Sequence, residues 1–170
     1  NTHAIAVSHD GTFLAAGDYG GNPSQVRIYR INETRDKNDQ PCVQFELFRE
    51  CSVNTTVDGI QGAIMDLGLG AGATNGEGMW SLDFSPDDKH IAVGTRDGSI
   101  TIWQLDCDPP RILFDRRFPE THVERIRYSS DGRLLIAQHR MPPALRVFNI
   151  GDQTDRVTPY DEDVSFSMLP

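Results

Sequence analysis

Cysteine is scarce: the 170 residues hold three, Cys42, Cys51 and Cys107. None stands in a Cys-x-x-Cys pair, so thiolate zinc ligation is not indicated, and the odd count suits reduced thiols in the cytosol or nucleus. Cys42 and Cys51 fall in what reads as one extended strand, too far apart along it for a disulfide. Histidine is also sparse. His3, His9, His90, His122 and His139 show neither His-Glu-x-x-His nor Cys/His ligand spacing. No apolar run approaches the roughly 18 residues of a membrane span. Basic charge is short as well: 16 Lys+Arg face 25 Asp+Glu, a net charge of -9, and such a chain repels phosphate backbones. Nucleic acid is not expected as a partner, nor is a membrane.

Chemical motifs are missing in the same way. There is no Gly-x-Ser-x-Gly elbow for a hydrolytic serine. The stretch GLGAGA at 68–73 fits the letters of a dinucleotide fingerprint, but TNGEGMW follows it and opens no helix to hold a pyrophosphate. The reading therefore assigns no catalytic residue, no cofactor and no metal. No signal peptide is visible, and the chain begins at Asn1 rather than Met, which predicts a piece of something longer. Two sequons, at Asn32 and Asn54, are short enough to arise by chance.

What is present is repetition. Three segments align on a serine-containing turn: 3–31, 79–105 and 122–150, with turns SHDG at Ser8, SPDD at Ser85 and SSDG at Ser129. In each turn Asp and Gly supply the side-chain bonding and positive φ of a tight reversal. Each segment reads as strand, turn, strand, loop, strand, since FLAAG, HIAVG and LLIAQ are too short for helices and precede alternating strands. Fourth strands are expected at 42–51, 111–118 and 155–160. Ser85 to Ser129 is 44 positions, inside the roughly 40–45 of one four-stranded propeller blade. The longer interval from Ser8 to Ser85 is accounted for by a Gly-rich insertion at 52–78.

The second unit, with FSPDD, AVGTRDGSITIW and Trp103, resembles the WD40 repeat family. The resemblance runs over nearly the whole chain, although Tyr29 and Phe148 stand at the Trp position in the other two units. It implies an all-β protein of β-propeller type: one partial domain, 1–170, with blades at about 2–51, 79–118 and 122–160 and the start of another. That arc is expected to belong to a larger closed ring, its remainder supplied by the same chain or another subunit. The family's cross-blade bonding set falls on Thr95, Asp97 and Trp103, with its histidine missing near Asn75.

By the same resemblance, the function is that of a protein–protein interaction scaffold or adaptor in a multiprotein complex, cytoplasmic or nuclear, whose partners are other proteins. The binding residues would lie on loops at one face. Trp80 stands at the mouth of the second inner strand, with His3 and Glu124 at the matching positions of the other units. With Arg96 and Arg140 they form the candidate partner patch, because aromatics and Arg dominate binding hot spots. The 52–78 insertion is a second candidate contact. Arg116, Arg117, Arg125 and Arg127 read as a solvated basic face. The first unit also resembles propeller lactonases that open sugar lactones, which makes a hydrolase of that type the alternative.

Overall fold

The computed structural model describes residues 2–18, 24–53, 78–118 and 121–150. Over these residues the secondary structure is β-strand, in three antiparallel sheets. The first sheet contains β1 (Thr2–Val7), β2 (Phe13–Asp18), β3 (Ser24–Arg35) and β4 (Pro41–Val53), paired in chain order. The second contains β5 (Met79–Phe84), β6 (His90–Thr95), β7 (Ser99–Gln104) and β8 (Arg111–Arg117), again in chain order. In the third, β10 (Leu134–His139) pairs with both β9 (Val123–Tyr128) and β11 (Ala144–Asn149). The expected fourth strand at 155–160 and nearly all of the 52–78 insertion lie outside the described residues.

The serine turns explain why each first hairpin forms where it does. Ser8 Oγ accepts the Phe13 N–H at 2.8 Å and donates to Asp10 at 2.7 Å. Ser85 repeats this with His90 N–H at 2.9 Å and Asp87 at 2.6 Å. Ser129 does so with Leu134 N–H at 2.9 Å and with Asp131. Each hydroxyl thus ties the two ends of its turn together and orients the carboxylate that caps the reversal. The residue that must adopt a left-handed φ is Gly11 at 73°, Asp88 at 56° and Gly132 at 72°. Two of the three turns use the residue for which this costs nothing; the second does not.

The sheets share their cores. One apolar cluster joins the first and second sheets, with Ala15, Val26 and Ile28 meeting Met79, Leu82, Ile91, Val93 and Trp103. The other joins the second and third, with Ala92, Ile100, Ile102 and Phe114 meeting Val123, Ile126, Leu135, Ala137 and Phe148. Residues alternate along β6, so Ile91 and Val93 serve one cluster while Ala92 serves the other, as the strand period demands. The second sheet is therefore covered on both faces. Close approach to the third sheet requires Gly94, where a Cβ would stand 2.5 Å from Val123 Cγ1.

Polar side chains reinforce both joints. Asp88 accepts the backbone N–H of His9 at 2.7 Å and of Asp10 at 2.9 Å from the first sheet. Ser81 Oγ accepts the Ile126 N–H at 2.9 Å, and Asp83 accepts the Tyr128 N–H at 2.7 Å, from the third. Burial raises the Asp83 carboxyl above its ordinary value, against the lowering effect of that N–H and of Arg127.

Candidate functional site

The inner strands β1, β5 and β9 lie side by side, which brings equivalent positions of the three units into one row. Trp80 of β5 is half-buried. Its ring centroid lies 6.4 Å from that of His3 on β1 and 5.4 Å from that of His122 just before β9. The two imidazoles thus flank the indole across both joints. His122 is absent from the sequence-derived patch. Its place corresponds to Gly78 of the second unit, so alignment of the units gives no ring there; the signal would have been its position immediately before an inner strand.

Behind this row stand the two arginines. Arg96 donates its backbone N–H to Gly78 O at 3.2 Å, and Arg140 donates its own to His122 O at 3.0 Å. Each loop after the second strand of its blade is thus fastened beside the entry to an inner strand, and the two arginines occupy equivalent places on neighbouring blades. Arg140 Nε also lies 3.5 Å from Glu124 Oε1, an ion pair within the proposed patch. The His122 Nδ1 contacts the carbonyl oxygen of Arg96, locking the ring of one blade to the loop of its neighbour. His3, Trp80, Arg96, Glu124 and Arg140 therefore gather at one end of the inner strands. The arrangement sets an aromatic and imidazole row beside two loops that each carry an arginine, a composition suited to a partner's apolar side chain bordered by hydrogen-bond acceptors.

The cross-blade bonding set needs correction. Thr95 Oγ1 donates to Asp97 and accepts the Ser99 N–H at 3.0 Å, and Arg117 Nε reaches Asp97 at 3.4 Å. Trp103 does not join them. The register places it opposite Ile91, at the other end of the β6–β7 ladder, where its indole N–H is buried without a hydrogen-bond partner among the described residues. It acts instead as apolar filling between the first two sheets.

The basic face is solvated as expected, with Arg117, Arg125 and Arg127 exposed, and most of its arginines also engage neighbours. Arg117 serves Asp97, Arg116 lies over the Phe118 ring at 5.0 Å, and Arg127 pairs with Asp83 at 3.2 Å. Of the four, three are stitched into the protein. Among the thiols, Cys51 is buried, and burial pushes it up to about 12, which leaves it almost without thiolate at neutral pH.

Three antiparallel sheets packed face to face, with their first strands adjacent and a shared serine turn, have the blade arrangement of a β-propeller. Comparison with known proteins agrees. Residues 71–104 match the family described as "WD domain, G-beta repeat", so the chain carries a WD40 repeat in its second unit. No curated protein sequence matches the chain.

Among solved structures it is similar to Sqt1 from Chaetomium thermophilum, at 21% identity and a TM-score of 0.58, over 86% of this chain and 30% of that one. It is also similar to a Bacteroides fragilis protein provisionally named a 6-phosphogluconolactonase, at 15% identity and a TM-score of 0.62, over 96% of this chain and 38% of that one. A second protein so named, from Bacteroides uniformis, matches at 16% identity and a TM-score of 0.57, over 94% and 40%. The chain thus spans well under half the length of each of these neighbours. At such identities the likeness is one of fold, and fold does not fix function.

Proposed function

We propose that the protein is an interaction module, an adaptor or scaffold that holds other proteins through the inner-strand end of the propeller and catalyses no reaction of its own. The observation that carries this reading is the row His3, Trp80 and His122, backed by Arg96 and Arg140 on equivalent loops of adjacent blades. Loops on a rigid scaffold commonly carry binding, and aromatics and arginines are enriched in binding hot spots. The WD40 repeat supports the same reading. Reduced thiols and an acidic surface suit work in the cytosol or nucleus.

The test is affinity capture with the intact protein, comparing the parent with Trp80→Ala and with the pair Arg96→Glu and Arg140→Glu, each checked for folding by circular dichroism. Both variants are expected to lose the same partners. A partner set unchanged in both would end the proposal. Loss of partners only on deleting 52–78 would move the site to that insertion. The lactone-hydrolase reading is favoured by two of the structural neighbours. It predicts turnover of a sugar lactone by the intact protein, which we expect not to occur.

A further inference from the structure

The first blade carries an extension that the second lacks. In every unit one backbone bond closes the third strand against the serine turn: Ile31 N–H to Thr12 O at 2.8 Å, Leu105 N–H to Lys89 O at 2.7 Å, and Ile150 N–H to Arg133 O at 2.6 Å. In the second unit the chain leaves its strand there. In the first it continues as a paired two-stranded ribbon, Asn32 opposite Gln44, Glu33 opposite Val43, Thr34 opposite Cys42 and Arg35 opposite Pro41. The end is fixed by Asp36, whose carboxylate accepts the N–H groups of Asn38 at 2.8 Å and Gln40 at 2.9 Å. This is a built feature, longer than the blade needs.

The ribbon has two unlike faces. Ile31, Val43, Phe45 and Leu47 lie on one, with Ile31 opposite Phe45 and with Glu33 and Arg35 toward its end; Asn32, Thr34, Cys42, Gln44 and Glu46 lie on the other. Val43, Phe45 and Leu47 are 52%, 55% and 54% exposed. A two-stranded ribbon with one uncovered apolar face is marginal by itself and gains most from a third strand. The place for that strand is the outer side of β4, which ends its sheet. Neighbouring blades cover faces here, as the two shared cores show, so further blades would leave this edge open.

The counterpart edge strand, β8, is guarded. It is seven residues long and carries Arg111, Arg116 and Arg117. The stretch Pro41–Leu47 of β4 has no lysine or arginine, and its single charge is Glu46. Short length and basic residues are how sheets discourage added strands; this edge uses neither. The charge nearby is selective. Arg35 is engaged by Asp39 at 3.2 Å, Arg27 by Glu50 at 2.8 Å and Arg49 by Asp108 at 3.4 Å. Glu46, opposite Arg30 in the register, has a 3.4 Å contact from Asn32 and no ion pair among the described residues.

We propose that the outer edge of β4, from Pro41 to Leu47, is a docking site for an extended segment of a partner protein. That segment adds as a further strand, with apolar side chains at alternate positions beside Val43, Phe45 and Leu47 and basic side chains on the opposite face beside Glu46. Backbone pairing supplies affinity and the alternating side chains supply selection. The site is separate from the Trp80 row and stands whether or not that row binds partners.

The test uses the full chain, isotope-labelled, with a short synthetic peptide that alternates valine with lysine and threonine. The expected result is slowed amide exchange between Cys42 and Leu47 on adding peptide, with the β5–β8 amides unmoved. Phe45→Glu, at an exposed position, should weaken binding by about tenfold or more, and Val43→Lys should do the same if the first variant folds poorly. Glutamate in place of the peptide's lysines should weaken it similarly, and N-methylation along one peptide edge should abolish it. Trp80→Ala should leave it intact. Protection elsewhere, equal binding of the N-methylated peptide, or unchanged affinity in both variants would overturn the proposal. So would self-association of the chain lost in Phe45→Glu, since the edge would then serve a second copy.

Discussion

Asp88 departs from the two sister serine turns. It takes a left-handed φ of 56° where Gly11 and Gly132 stand in the sister turns, a conformation that costs a residue with a side chain about 1–2 kcal/mol. In return its carboxylate holds two backbone N–H groups of the first blade, and hydrogen bonds to a charged acceptor contribute about 1.5–3 kcal/mol each. The bonds outweigh the strain. Asp88→Gly is therefore expected to lower stability by about 1–3 kcal/mol even though it restores the residue the turn prefers. Asp88→Asn, which tolerates this φ and keeps one acceptor oxygen, should lose less. Urea denaturation midpoints of the three proteins check the order, and a stabilised glycine variant would show that the carboxylate clamp contributes little.

At the scale of single strands, most of the hairpins were legible because a short chemical device marks them. The Ser-x-Asp sequence at Ser8, Ser85 and Ser129 names both the turn and its bonding, and the alternating runs that follow fill strands of matching length. What escaped was whatever depends on contact between units. The overshoot of β3 and β4 is hidden because every residue from Asn32 to Gln40 is polar or charged, a composition that also fits a loop joining two strands. His122 escaped because it has no ring at the matching place in its neighbour. Trp103 misled because the family pattern gives it a bonding role that needs a partner this chain does not place beside it.

Gly94 belongs to the same class of hidden feature: its φ is unremarkable to a sequence reader, yet it is the point where the second and third sheets nearly touch. Gly94→Ala should cost about 1–3 kcal/mol by forcing the Val123 side chain aside, and Val123→Ala in the same protein should recover part of the loss. Thermal unfolding of the single and double variants reads this coupling, and simple additivity of the two changes would refute the contact.

Across the whole molecule, the resemblance to WD40 repeats foresaw the blade architecture, while the site rests on side chains that meet only when three units stand together. His3, Trp80 and His122 are separated by long stretches of chain and become neighbours through the adjacency of β1, β5 and β9. Local motifs are silent about such a constellation. The 52–78 insertion and the expected strand at 155–160 fall outside the described residues, so the expectations placed on them stay proposals.

The division of the interior into two clusters, each spanning a pair of sheets, makes the central unit a keystone. An end sheet can open while the opposite cluster keeps its partners, but release of the middle one dissolves both at once. Native-state hydrogen exchange is then expected to rank protection accordingly, with β6 and β7 amides the last to exchange and β1 and β11 among the first. Equal protection throughout would mean that the arc melts as one indivisible body.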